Sequence, residues 1–119
     1  MKCNIKKLDK RFNYHHYFNY VIEFDNDMSK YRGPENYIIL TEALREAFDP
    51  STHITVWSVI NEWNNHKLAV GLEVEEQHMK FVNLNWCYTT TDHDQTLKIY
   101  VKDNVLSWLM VRFDLEKTG

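Results

Sequence analysis

Apolar and polar side chains alternate almost without fault from Phe12 to Phe24. Phe12, Tyr14, His16, Phe18, Tyr20, Ile22 and Phe24 fall on one side; Asn13, His15, Tyr17, Asn19, Val21 and Glu23 fall on the other. A period of two predicts a long, half-buried strand, with the His15-His16 pair a place for it to bend. After a polar loop over 25–33 the period changes. Tyr37, Leu40, Leu44 and Phe48 recur at the three-and-four spacing of one apolar stripe, which predicts a helix over about 34–48. Pro34 suits its opening, Glu35 suits the positive end of its dipole, and Pro50 stops it.

The stretch 55–74 reads as a β-hairpin turning at Asn64-Asn65, because Asn accepts the positive φ angles of a two-residue turn. That turn sets Trp63 against His66, Asn61 against Leu68, Val59 against Val70 and Trp57 against Leu72 on one face. Glu62 and Lys67 then meet on the other face, an opposite-charge pair that supports the register. Gly71 in mid-strand suggests a bulge. Val82, Leu84, Trp86 and Tyr88 continue the apolar face. A turn near Asp92-His93 returns it through Leu97, Ile99 and Val101. The expected rows across the sheet include Asn61-Leu68-Trp86-Ile99 and Trp63-His66-Tyr88-Leu97. Residues 105–113 are apolar at nearly every position and fit a strand or a helix; the β-branched valines and an Asp103-Asn104 turn favour the strand.

The expected fold is therefore α+β: a long N-terminal strand, one central helix, then an antiparallel meander of four to five strands wrapped on that helix. This resembles the layout of cystatin-like folds, a likeness of architecture that carries no function with it. No motif in the chain identifies a family.

Composition narrows the class. A chain of 119 residues with 44% hydrophobic content, three Gly and two Pro is expected to form a single domain, 1–119, without long linkers. Cys3 and Cys87 are too isolated for a disulfide framework or a zinc site. No stretch approaches the length of a membrane span and the first residues lack a signal-peptide core, so a cytoplasmic protein is expected. The net charge of −3 is uneven. Residues 1–17 hold Lys2, Lys6, Lys7, Lys10 and Arg11 against Asp9, which leaves nine basic and sixteen acidic groups on the rest.

The chemistry expected at known sites is missing. Asp25, Asp27 and Ser29 imitate the first ligands of an EF-hand loop, but Lys30 stands where Gly is needed and Asn36 where a bidentate Glu is needed. Asp92-His93-Asp94 sits on one turn and makes no complete metal site. Nothing near Cys87 predicts a lowered pKa, and there is no Gly-rich phosphate loop. No catalytic residue, metal or cofactor is assigned. Basic groups interleave with rings in Lys10, Arg11, Phe12, Tyr14, His15 and Tyr17, as single-strand binders require. The acidic remainder of the chain weighs against a nucleic-acid partner.

Two functions follow. In the first, Asp49, Glu73, Glu75, Glu76 and Asp103 gather at the far end of the hairpin as an acidic rim. The rim docks a basic protein, as a small inhibitor or immunity-type protein masks a nuclease toxin or defence effector. In the second, His16, Asn61 and His66 are the polar groups of a pocket between helix and curved sheet, in a small-molecule-binding protein or small enzyme.

Overall fold

Cys3 and Ile5 alternate with Asn4 and Lys6 at the very start of the chain. This short run forms a strand that the longer pattern beyond it conceals. A computed structural model describes residues 2–11, 14–24, 33–72, 83–89 and 97–117. Its elements are β1 (Lys2–Lys7), β2 (Tyr20–Phe24), α1 (Gly33–Phe48), α2 (Ile54–Ala69), β3 (Trp86–Thr89), β4 (Leu97–Val101), α3 (Asp103–Phe113) and β5 (Glu116–Lys117). The sheet order is β3-β4-β2-β1-β5, antiparallel throughout except where β5 joins β1 in parallel.

The broad class is α+β, as expected, but the arrangement is not one central helix wrapped by a meander. Three helices are present among the described residues, and β2, rather than a further strand of a meander, flanks β4.

The expected long N-terminal strand does not form as one element. Among its described residues only the last part, β2, forms a strand. Tyr14 adopts φ 71°, and its carbonyl accepts the N–H groups of Tyr17 at 3.0 Å and Phe18 at 3.2 Å, closing a turn in the middle of the alternating run. Aromatic residues supply an apparent period of two there because their rings line a cluster beside the sheet, not one pleated face. β1 pairs with β2 in the register Ile5↔Ile22, and the Leu8 N–H extends the ladder to Asn19 O at 2.8 Å.

The hairpin over 55–74 is overturned outright. Those residues form α2, and Asn64-Asn65 lies inside it. The β-branched residues Thr55, Val56, Val59 and Ile60 imitate a strand, yet the segment runs from Pro50 to Gly71 with neither Gly nor Pro between. That length without a breaker is helical. Gly71, at φ 79°, is the helix terminator and not a strand bulge. Its N–H donates to Leu68 O at 3.2 Å, and the Leu72 N–H reaches back to Lys67 O at 2.8 Å. This is the paired closure that a left-handed glycine after a helix permits.

Residues 105–113 are helical as well. Val105, Leu106 and Leu109 point inward from α3. Asn19 Oδ1 accepts the Asp103 N–H at 3.0 Å, so a side chain from before β2 satisfies a donor of the first turn. The expected core residues Trp86, Tyr88, Leu97, Ile99 and Val101 do share one face, but β3 is displaced by two positions: Trp86 meets Val101 and Tyr88 meets Ile99. A slip of two preserves the face, which is why the pattern cannot detect it. Leu84 lies before β3 and is exposed.

The sheet separates two apolar clusters. On one face Cys3, Ile5, Ile22, Phe24, Trp86, Ile99 and Val101 pack against Leu40 and Leu44 of α1 and Val105, Leu106 and Leu109 of α3. On the other, Val21, Cys87 and Tyr100 meet Leu8, Phe18, Ile54 and Trp57. The alternation Val21/Ile22, Cys87/Trp86 and Tyr100/Ile99 sends neighbouring residues to opposite clusters.

Candidate functional site

The placement of α2 follows from its first turns. His53 Nδ1 accepts the Thr55 N–H at 3.1 Å and supplies the cap. Ile54 and Trp57 are buried in the second cluster, where the Trp57 ring meets Tyr17 and Phe18 with centroids 4.9 and 5.0 Å apart. The indole N–H of Trp57 donates to Asn83 O at 2.8 Å. With this side fixed, the opposite side of the helix must face outward.

That outward side is apolar. Val56, Val59, Trp63 and Val70 are spaced three, four and seven apart, a stripe about 60° wide on an ideal helix. They are 45%, 61%, 52% and 56% exposed, respectively. Six of the eleven large exposed apolar side chains among the described residues lie between Val56 and Leu72, so the exposure is concentrated and not scattered. Trp63 is braced at the middle of the stripe: the His66 ring stacks on it with centroids 6.1 Å apart, and Lys67 Nζ lies 5.5 Å from its centroid. An aromatic anchor held in place loses little freedom on docking.

The inner side of α2 is correspondingly odd. Asn64 is buried, and its Oδ1 has no hydrogen-bond partner; an unmet buried acceptor costs about 1–3 kcal/mol. Apolar groups outside and an amide inside reverse the ordinary order of a surface helix. Beside it, the Tyr17 hydroxyl donates to Glu62 Oε1 at 3.5 Å. Burial, and then the Glu62 charge, raise the pKa of Tyr17.

The residues singled out from sequence are dispersed. Glu73, Glu75 and Glu76 lie outside the described residues. Asp49 is exposed at φ 70° just past α1, and its carbonyl accepts Trp86 Nε1 at 2.9 Å. Asp103 is exposed in the first turn of α3. Among the described residues no hydrogen bond or ion pair links Asp49 to Asp103, and the hairpin that was to gather the acids is a helix. His16 is exposed, its ring tilted by 42° against that of His15 with centroids 3.7 Å apart. Asn61 is half-buried near Tyr17, and His66 is exposed on Trp63. A cleft opens against Leu8, Tyr14, Val21 and Tyr100, and none of these three lines it. The stripe itself was missed because Val59, Asn61 and Trp63 also satisfy a period of two; the spacing 56-59-63-70 held the signal.

No group of three His, Cys, Asp or Glu side chains suited to a metal ion occurs among the described residues, and the Asp92-His93-Asp94 turn lies outside them. Burial pushes the Cys87 thiol well above its ordinary pKa, opposite to what a nucleophile requires. No described helix is long and apolar enough to cross a membrane. Compared with family models, curated proteins and solved structures, the chain matches none.

Proposed function

We propose that this chain is a non-enzymatic protein-binding module that lays the outer face of α2 into an apolar groove on its partner. The observation that carries this reading is the exposed stripe of Val56, Val59, Trp63 and Val70. Helix-in-groove recognition uses anchors at this spacing. The partner's groove is rimmed by basic groups: Glu73, Glu75 and Glu76 follow directly after α2, and beyond residue 17 the chain carries sixteen acidic groups against nine basic. An excess of acidic residues steers a basic partner and disfavours others. A small inhibitor or immunity-type protein that masks a basic effector has this chemistry.

The test is affinity capture from the source cell with three baits in parallel: the unaltered chain, Val59→Glu, and the triple charge reversal at Glu73, Glu75 and Glu76. The expected result is a basic protein held by the first bait and lost from the other two, with all three baits equally folded by circular dichroism. A partner retained by Val59→Glu rules out the α2 face, and one retained by the triple variant rules out a role for Glu73, Glu75 and Glu76. If the unaltered chain instead pairs with itself in sedimentation, and Val59→Glu abolishes that pairing, the face joins two copies and the inhibitor reading fails.

A further inference from the structure

On the sheet face that α2 only partly covers, a cleft of about 370 Å³ opens between Leu8, Arg11, Tyr14, Val21, Glu23, Lys98 and Tyr100. Its floor follows from strand register. Val21 pairs with both Lys6 and Tyr100, while Glu23 pairs with Lys98, so these two neighbouring rows bring Lys6, Glu23 and Lys98 onto one face with Val21 and Tyr100. Leu8, at the end of β1, and the turn carrying Tyr14 form its walls. The size is that of a site for a small organic molecule.

The charges in this cleft are not equally occupied. Glu23 is engaged by Lys6, with Nζ 3.4 Å from Oε1. Arg11 is braced by Asp9, whose carboxylate accepts Nε at 3.1 Å and Nη2 at 2.8 Å, so the guanidinium is held in one plane. Lys98 makes no ion pair among the described residues; its backbone N–H donates to Thr89 Oγ1. The lining therefore carries Lys98 with no ion pair among the described residues, Arg11 paired to Asp9 and Glu23 paired to Lys6.

Two phenols complete the set. The Tyr14 and Tyr100 rings meet edge to face with centroids 5.6 Å apart, and neither hydroxyl has a hydrogen-bond partner among the described residues. Burial, together with Cys87, Tyr14 and Glu23 nearby, pushes Tyr100 up to about 12, which keeps its hydroxyl a donor. Tyr14 holds its ring there from a left-handed backbone, φ 71°, which a bulky residue ordinarily avoids. Strain of this kind persists where surrounding structure enforces it, and it concentrates at binding sites.

We infer that the cleft binds a phosphate monoester carried on a flat ring, of the size of a nucleoside monophosphate. Lys98 faces its charge, the Tyr14 and Tyr100 hydroxyls donate to its oxygens, and Leu8, Val21 and the Tyr14 ring receive its apolar body. One cation with no ion pair and two neutral donors match the three oxygens of a phosphate dianion better than a carboxylate's two. The site is separate from the α2 stripe and does not rest on it.

The test is an NMR titration of the isotopically labelled full chain with adenosine 5′-monophosphate, adenosine and inorganic phosphate as separate probes. The monophosphate is expected to move the amide signals of Leu8, Tyr14, Val21, Lys98 and Tyr100. Adenosine is expected to bind about tenfold or more weaker, and Lys98→Met to weaken the monophosphate by a similar factor. Trp63→Ala should leave the titration unchanged, which separates this outcome from the fate of the α2 reading. Absent or misplaced shifts overturn the inference, as does undiminished binding by adenosine or by Lys98→Met. Inorganic phosphate binding as tightly as the monophosphate overturns the part played by the ring.

Discussion

The indole N–H of Trp57 donates to the backbone carbonyl of Asn83 at 2.8 Å, and this bond ties the first turn of α2 to the segment that leads into β3. The side chain of Asn83 faces a different element. Its Nδ2 lies 2.7 Å from Phe48 O, 3.1 Å from Asp49 O and 3.2 Å from Pro50 O, while its Oδ1 accepts the Asn85 N–H at 2.9 Å. One residue thus satisfies the carbonyls left over at the end of α1 and receives the indole of α2. The helices on opposite faces of the sheet are joined through it.

Asn83→Ala should therefore cost more than an ordinary half-buried substitution. It removes the donor from three carbonyls at a helix terminus, a loss of about 1–2 kcal/mol by the usual worth of such bonds. Urea denaturation checks this: the midpoint should fall with the slope unchanged. Asn83→Asp, which keeps the acceptor and removes the amide donor, should fall as far or further.

Gly71→Ala should destabilise α2 alone. An added Cβ meets nothing within 4 Å, so no clash arises, but φ 79° is a conformation that costs alanine about 1 kcal/mol. Hydrogen exchange should show faster opening for amides in the last turn of α2, with the amides of β2 and β4 unaffected. Uniformly faster exchange throughout the sheet would mean that α2 is not a separable unit.

The difference between the helix that the sequence revealed and the helices that it concealed is physical. In α1, Leu40 and Leu44 are fully buried against the sheet while Glu42, Arg45 and Glu46 face water, so the apolar period is visible. In α2 the outer face holds Val56, Val59 and Trp63 and the inner face holds Asn64, so apolar residues surround the helix and a period of two fits as well as 3.6. In α3, Val105, Leu106, Leu109, Met110 and Val111 likewise obscure the period, although Met110 and Val111 are exposed. The same features that hid α2 are those on which the proposed docking face rests. The cleft was legible only in its pieces: Arg11 and Tyr14 stood in the basic-aromatic run, but joining them to Lys98 and Tyr100 requires the β2–β4 pairing.

The buried thiols predict an alkaline weakness. Burial lifts Cys3 from its ordinary 9.0 to about 11, and Cys87 is raised well above its ordinary value for the same reason. Because the folded state holds these protons more tightly than the unfolded chain, the stability they contribute is complete below pH 9.0. It is lost as the pH rises towards about 11 for Cys3. The unfolding midpoint should decline across that window, and Cys3→Ala should flatten part of the decline. A thiol reagent at neutral pH should label neither cysteine in the folded chain and both in urea, since both side chains are buried.

The final prediction concerns the amide inside α2. Asn64 Oδ1 is buried without a partner, so Asn64→Leu replaces an unmet acceptor with an apolar group of similar reach. Removing that penalty should raise stability by about 1 kcal/mol or more, a direction opposite to most buried substitutions. Differential scanning calorimetry would register it as a higher melting temperature. The variant also tests the proposed docking of α2. The stripe of Val56, Val59, Trp63 and Val70 lies across the helix from Ile54 and Trp57, and a helix that docks as it stands should bind the captured partner equally well with leucine in place of Asn64. If α2 instead turns on its axis so that the amide reaches the partner, the more stable variant should bind about tenfold or more weakly, because an apolar side chain then replaces the required polar one. A melting temperature that falls would show that the Asn64 amide is satisfied and stabilises α2.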